Sequence, residues 1–171
     1  VIGQLSEVTT GEYQLDRIPY GAYYLKETVA PANYELDNTF YPFNIAEANS
    51  TVYVETKAGK GLENDAQTGS LKIQKRSSDN VLAGWKFRVQ LVNSTFKDYT
   101  YDKTFTTDAN GLITIDNLRI GRYKVSEITD DVVGYFTADA KEIVIQKNTT
   151  STVEMTNIPY GSVHVTKIDK D

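Results

Sequence analysis

Cysteine is absent from the 171 residues. Disulfides, thiol nucleophiles and thiolate metal sites are thereby excluded. Secreted β-domains often rely on cystine staples, so zero cysteine beside abundant Thr, Tyr and Val fits a bacterial surface protein stapled in some other way. Histidine occurs once, as His164, and with no cysteine this leaves neither a Ser/His/Asp nor a Cys/His set for nucleophilic catalysis. Basic clusters are missing too. With 18 Lys and Arg against 23 Asp and Glu, the net charge is -5. Nothing displaces counterions from a phosphate backbone, so no nucleic-acid partner is expected. No apolar run approaches the ~20 residues of a membrane span, and no membrane insertion is expected. The start carries no signal peptide, and the chain is expected to be a fragment of a longer product. Four prolines and eleven glycines rule out collagenous and low-complexity classes.

What is present is repetition. Hydrophobic residues make up 40% of the chain, which suffices for one large or two small cores. The stretch from Thr10 to Glu27 aligns without gaps on Asn110 to Glu127. Gly11 matches Gly111, Gly21 matches Gly121, Tyr23 matches Tyr123 and Glu27 matches Glu127. One residue of slippage then brings Tyr34 onto Tyr135, and Thr56 onto Asn157. A second echo is Gly69-Ser-Leu-Lys-Ile-Gln-Lys75 against Gly161-Ser-Val-His-Val-Thr-Lys167. The phase predicts the later part of one module over 1–67, lacking its opening strands, a whole module over 69–160 and the opening strand of a third over 161–171. The polar stretch 57–68 reads as a linker.

Within 69–160 the alternation predicts strands at 69–76, 85–93, 99–106, 111–116, 121–129, 140–146 and 151–157, and no helix. Turn residues separate them at 77–80, 108–111 and 146–149. Asp108-Ala-Asn-Gly111 lacks the further ligands of a calcium loop and reads as a hairpin turn. Seven short strands in about ninety residues mean a β-sandwich. The fold class is all-β, in tandem Ig-like modules.

Three strands end an apolar column with a polar residue. Leu71 and Ile73 lead to Lys75, Tyr123 and Val125 to Glu127, and Val153 and Met155 to Asn157. A strand has period 2, so each set shares a face. Singly, these residues have plainer readings. A lysine at a strand end snorkels to solvent, a glutamate there is a surface charge, and an asparagine before Ile-Pro starts a turn. Together they form a coherent set. A dry interior favours the neutral amine of a lysine and the neutral acid of a carboxyl. Held together, amine and carboxamide condense to an amide and release ammonia, assisted by the acid. His164 lies on the outer face of its strand, and no metal or cofactor is expected.

The motifs Gly69-x-Leu-x-Ile-x-Lys75, Val81-Leu-Ala-Gly84, Gly121-Arg-Tyr-Lys-Val-Ser-Glu127 and Val153-x-Met-x-Asn157 resemble the CnaB-type (collagen-adhesin B-repeat, SpaA-like) domains of Gram-positive surface adhesins and pilins. So does Tyr24-Leu-Lys-Glu-Thr-Val-Ala-Pro-Ala-Asn-Tyr34 in the first module. The resemblance covers nearly the whole chain and implies a prealbumin-like sandwich. It also implies an isopeptide bond between Lys75 and Asn157, with Glu127 as the acid. Glu27 and Lys167 are the equivalents in the flanking modules. The sequence departs from the pattern at Asp130-Asp-Val-Val-Gly-Tyr135, which has no proline. Thr56 also stands where Asn157 stands, so Glu27 is left without an acceptor in register. Asn64, out of register, is the fallback.

The resemblance implies a structural stalk module of a cell-wall-anchored surface protein, outside the cell, with neighbouring modules of the same chain as partners. The competing reading is a ligand-binding adhesin module that holds host matrix protein or glycan on loops such as 93–101. An enzyme acting on external substrates is disfavoured, because one turnover would consume the triad.

Overall fold

The computed structural model describes residues 1–55, 61–129 and 133–169. Thr56 and Asp130 to Val132, in the loop after Glu127, lie outside the described residues, as do parts of the linker and the last two residues. All regular structure among the described residues is β. The chain divides into two compact units, Val1–Asp65 and Ala66–Asp171.

The second unit is a two-layer sandwich. Its eight strands are β5 (Thr68–Ser77), β6 (Lys86–Asn93), β7 (Asp102–Thr106), β8 (Leu112–Arg119), β9 (Gly121–Ile128), β10 (Tyr135–Phe136), β11 (Lys141–Ile145) and β12 (Thr150–Pro159). One sheet runs β10-β12-β5-β8 and the other β11-β9-β6-β7. The first long strand and the last are parallel neighbours, with Val153 opposite Ile73 and Met155 opposite Lys75. Every second residue faces the other layer. Leu71, Ile73, Phe87, Val89, Tyr123, Val125, Val153 and Met155 are all buried, each worth roughly 1.5–3 kcal/mol in transfer from water.

The glycine that opens β5 is dictated by contact. A Cβ on Gly69 would lie 2.2 Å from the Gln146 carbonyl oxygen. The turn before β12 also docks on this strand start, with Ser70 N donating to Thr149 O and Asn148 N to Thr68 O. The second copy of the motif is placed otherwise. Residues 161–169 join no sheet, are exposed, and Gly161 has open space around it.

The 108–111 turn departs from expectation. Asp108 Oδ1 accepts from Asn110 N at 2.9 Å and Leu112 N at 2.7 Å, so it is a side-chain-stabilised turn. It joins β7 to β8, however, and these belong to different sheets. It carries the chain between layers and closes no hairpin.

The first unit holds β1 (Ser6–Thr9), β2 (Glu12–Gln14), β3 (Gly21–Leu25) and β4 (Tyr41–Ile45), as the pairs β1-β2 and β3-β4. In β3-β4, Gly21 faces Ile45, Tyr23 faces Phe43 and Leu25 faces Tyr41. In β9-β11, Gly121 faces Ile145, Tyr123 faces Ile143 and Val125 faces Lys141. Both pairs thus share one register, one hundred residues apart. Tyr23 hydroxyl donates to Pro19 O and Tyr123 hydroxyl to Arg119 O, both at 2.8 Å. Left-handed backbone recurs at Arg17 and Asn117, and at Gly11 and Gly111. The one-residue slippage found at Tyr34 is absent at β4, whose residues match those of β11 one hundred positions on. Residues 51–55, expected to match the last strand, are not part of a strand.

Candidate functional site

Asn157 and Glu127 are hydrogen-bonded across the sandwich interior, and Lys75 lies on the strand beside Asn157, near enough for the Glu127 charge to act on its amine. β5 and β12 carry Lys75 and Asn157 in one sheet, and β9 carries Glu127 in the other. Lys75 is 0% exposed and Asn157 1%. Each takes its position from local alternation, since Leu71-x-Ile73 and Val153-x-Met155 fix which face the next alternate residue joins.

The Lys75 amine donates to Arg76 O at 2.5 Å and lies 3.8 Å above the Trp85 ring centroid. Burial pushes it below the ordinary lysine value, a shift opposed by the charges of Glu127 and Asp79. Trp85 is held by Nε1 donating to Val81 O at 3.0 Å, and by the edge of Tyr135, with ring centroids 5.0 Å apart. Tyr135 hydroxyl in turn donates to Asp79 Oδ2 at 2.6 Å. Hydrogen bonds from Ser77 and Tyr135 hold the Asp79 carboxyl down to about 2. An aromatic cover, latched by Asp79, thus lies over the amine.

Asn157 Nδ2 donates to Glu127 Oε1 at 3.0 Å and Oε2 at 2.8 Å, and to Phe136 O at 2.8 Å. Its Oδ1 is buried with no hydrogen-bond partner among the described residues. Glu127 Oε2 also accepts from Ala138 N at 2.7 Å. The carboxyl therefore faces the amide nitrogen, whereas an acid that activated the carbonyl would face the oxygen. A buried carbonyl without a partner is costly at rest, by about 1–3 kcal/mol.

The first unit contains a matching pair. Asn64 Nδ2 donates to Glu27 Oε2 at 2.7 Å and to Glu35 O at 3.0 Å, and Asp37 N donates to the same Glu27 oxygen at 2.7 Å. Amide, carboxyl, carbonyl and backbone N–H correspond one for one with Asn157, Glu127, Phe136 and Ala138. Asn64 is the residue brought to Glu27, although register pointed to Thr56, which lies outside the described residues. Sequence reasoning also missed Trp85, Tyr135 and Asp79 as the surroundings of the amine. The recurring Tyr34 and Tyr135 were the one available signal. Lys167 and His164 are exposed, with His164 Nε2 3.3 Å from Thr166 Oγ1. Lys167 meets no counterpart of the Glu127–Asn157 pair within its own stretch.

Among known proteins, the SpaA prealbumin-like fold domain matches residues 2–60 and 69–159. Comparison with curated proteins finds no match. Among solved structures, the TIE protein of Bacillus anthracis is 33% identical over 56% of this chain and 17% of its own, with a TM-score of 0.46. The full-length major pilin SpaD of Corynebacterium diphtheriae is 21% identical over 54% of this chain and 30% of its own, at 0.47. The minor pilin of Streptococcus agalactiae is 23% identical over 92% of this chain and 68% of its own, at 0.47. The chain thus spans less than a third of the first two.

Proposed function

Since this chain belongs to the SpaA prealbumin-like fold domain family, we propose that it is a structural module of a Gram-positive surface adhesin or pilus-type protein. In this reading an isopeptide bond formed once, without external catalyst, between Lys75 and Asn157 staples the sandwich. The observation that carries the reading is the Asn157 amide held on both oxygens of Glu127, at the end of the interior that also holds the fully buried Lys75.

The neutral Lys75 amine attacks Asn157 Cγ, where burial has already favoured loss of the ammonium proton. Glu127 accepts a proton from the attacking nitrogen and delivers one to Nδ2, the atom it already touches, which leaves as ammonia. A secondary amide remains. Glu127 then acts on the leaving group, and the carbonyl oxygen collects charge without help from that side. Water is largely excluded by Trp85 and the two sheets, which keeps the amine neutral and the amide from hydrolysis.

The staple suits a load-bearing element. A pull on the module enters at the start of β5 and leaves at the end of β12, which are parallel neighbours. A bond from residue 75 to residue 157 carries that force directly and leaves the strands between them unloaded. We place the module outside the cell on a wall-anchored protein, with 69–160 as one unit of a row and 1–67 and 161–171 belonging to its neighbours. The test is an intact mass one ammonia below the sequence mass, with a branched tryptic peptide joining the segments around Lys75 and Asn157. An unmodified mass in folded protein rejects the bond.

A second reading has its own observation. A recess of about 320 Å³ lies beside the 93–101 loop, lined by Leu91, Phe96, Tyr99, Tyr101 and Asp102 among others. Arg119 stacks near Phe96 and Tyr99, 5.2 and 4.6 Å from their centroids. Aromatic faces beside polar groups suit a glycan or a peptide side chain. A binding screen against host matrix proteins and glycans separates this adhesin reading from a pure stalk.

A further inference from the structure

We infer that the recess beside the 93–101 loop binds an acidic sugar, uronic or sialic, whose carboxylate pairs with Arg119. The inference rests on the adhesin reading of that recess and narrows it to one ligand class.

The loop is anchored. Leu91 N donates to Tyr101 O at 2.8 Å across its base, and Phe96 N donates to Ser94 Oγ at 3.0 Å. Phe96 is buried although it stands in the loop, and Tyr99 meets its ring edge-on with centroids 6.1 Å apart. The guanidinium carbon of half-buried Arg119 sits 5.2 Å from the first centroid and 4.6 Å from the second.

The repeat shows that the fold has no need of this arginine. What the position supplies to the sandwich is its carbonyl, which accepts from the Tyr123 hydroxyl, and in the first unit Pro19 serves Tyr23 in the same way. The guanidinium is therefore surplus to packing. Of its five N–H donors, none meets an acceptor among the described residues. Stacking on two rings fixes the plane of the fork in advance, so a planar anion with two oxygens meets it at little ordering cost.

The charge around the recess also selects an anion. Asp102 is the one carboxylate among the lining residues. Arg88 already holds it, with Nε donating at 2.8 Å and Nη2 at 2.6 Å, and Gln90 Nε2 adds a third bond at 3.1 Å. The Lys103 ammonium lies 5.4 Å over the Tyr101 ring, with no carboxylate partner among the described residues. Two unpaired cations thus rest on rings that line the recess, in a chain of net charge -5. Their field draws in a negative group.

The rest of the lining favours a sugar over a peptide. Ser94, Thr100 and Gln90 bring hydroxyls and a carboxamide, groups that both give and accept hydrogen bonds as sugar hydroxyls do. Leu91, Tyr99 and Tyr101 supply apolar surface for the C–H face of a ring. The volume of about 320 Å³ is at the low end of the roughly 300–1,000 Å³ of small-ligand sites, which suits a sugar ring better than an extended chain.

The test titrates the full 171-residue chain with sialyllactose and with a hyaluronan tetrasaccharide. Each is run beside its neutral counterpart, lactose or the carboxyl-reduced tetrasaccharide, and beside a capped Gly-Glu-Gly peptide. Binding is followed by NMR at the Tyr99 and Tyr101 amides and at Arg119 Nε–H. One acidic sugar should shift these signals and bind about ten- to a hundredfold more tightly than its neutral counterpart, less so as salt rises. Which of the two binds tells a sialic from a uronic source. Arg119→Gln should bring the acidic sugar down to the level of the neutral one, whereas a loosened loop would weaken both alike. Equal binding of acidic and neutral sugars, discrimination that survives Arg119→Gln, or preference for the peptide overturns this inference and leaves the adhesin reading of the recess standing. Absence of any shift at the recess with all five probes overturns both.

Discussion

Asn157 and Glu127, thirty residues apart and in opposite sheets, share a forked contact in which one amide nitrogen meets both carboxyl oxygens, at 3.0 and 2.8 Å. In the reaction proposed above, the contact places the proton relay on the atom that would depart. It therefore makes the identity of residue 127 more consequential than its size.

Glu127→Gln keeps the shape and removes the relay. Two carboxamides would then face one another nitrogen to oxygen, a hydrogen bond that holds the fold. Bond formation should slow by about 10²–10⁴-fold, and freshly folded protein should keep its full sequence mass. Crosslinking at the parent rate, followed by mass against time, would make Glu127 a structural residue.

Lys75→Met replaces the amine by an apolar chain of similar length, so no charge is stranded in the interior. If the proposed staple forms, this change removes it; the bond would close a loop of about 80 residues and constrain the unfolded chain by roughly 4–5 kcal/mol on the disulfide analogy. Urea unfolding should show a loss of about that size. A loss below ~1 kcal/mol would mean that no covalent link had been present.

The lowered Lys75 value fixes the sign of a pH effect in unbonded protein. Asn157→Ala leaves Lys75 a free amine, whose value is lower folded than unfolded. The unfolded state then binds more protons, so stability rises with pH until the ordinary lysine value is passed. As pH rises towards about 10, Asn157→Ala should gain stability relative to Asn157→Ala with Lys75→Met. A parent in which the proposed bond has formed has no titrating amine at residue 75 and should lack this rise. Parallel pH profiles of the two variants would contradict the burial of a free amine.

Asp79 sets an acid limb. Its carboxyl is held down to about 2 by Ser77 and Tyr135, so its contribution is present above the ordinary carboxylate value and fades as pH falls through about 2. Tyr135→Phe removes one of the two hydroxyls, so the contribution should be smaller and its fade complete at a higher pH. The same change loosens the cover on Trp85, so crosslinking should slow without stopping. An unaltered rate would detach the latch from the chemistry.

Gly69→Ala sets a Cβ 2.2 Å from the Gln146 carbonyl and should cost about 1–3 kcal/mol, as overpacking does. Gly161→Ala meets nothing within 4 Å and should leave thermal unfolding unmoved. Equal effects in thermal melts would mean that the two copies of the motif are seated alike.

The sequence by itself determined the local half of this protein. Period-2 alternation is a property of adjacent residues, so it marked the strands of the sandwich and the inward columns that end at Lys75, Glu127 and Asn157. The recurrence of Gly21, Tyr23 and Glu27 one hundred residues on also carried through to the pairing register of β3-β4 and β9-β11. Tertiary structure decided what depends on distant partners. The 108–111 turn has the residues of a hairpin, yet only sheet assignment shows that it crosses between layers. Register along the chain pointed to Thr56 as the counterpart of Asn157, but a loop residue outside any repeat, Asn64, is the one that reaches Glu27. No pattern announces that contact, because a side-chain hydrogen bond across a turn has no period. The Phe136 and Glu35 carbonyls are backbone groups common to every residue, so their role at the two amides exists only in space. The cover of Trp85 on the Lys75 amine likewise depends on two sheets closing over one another, which alternation permits and packing alone fixes.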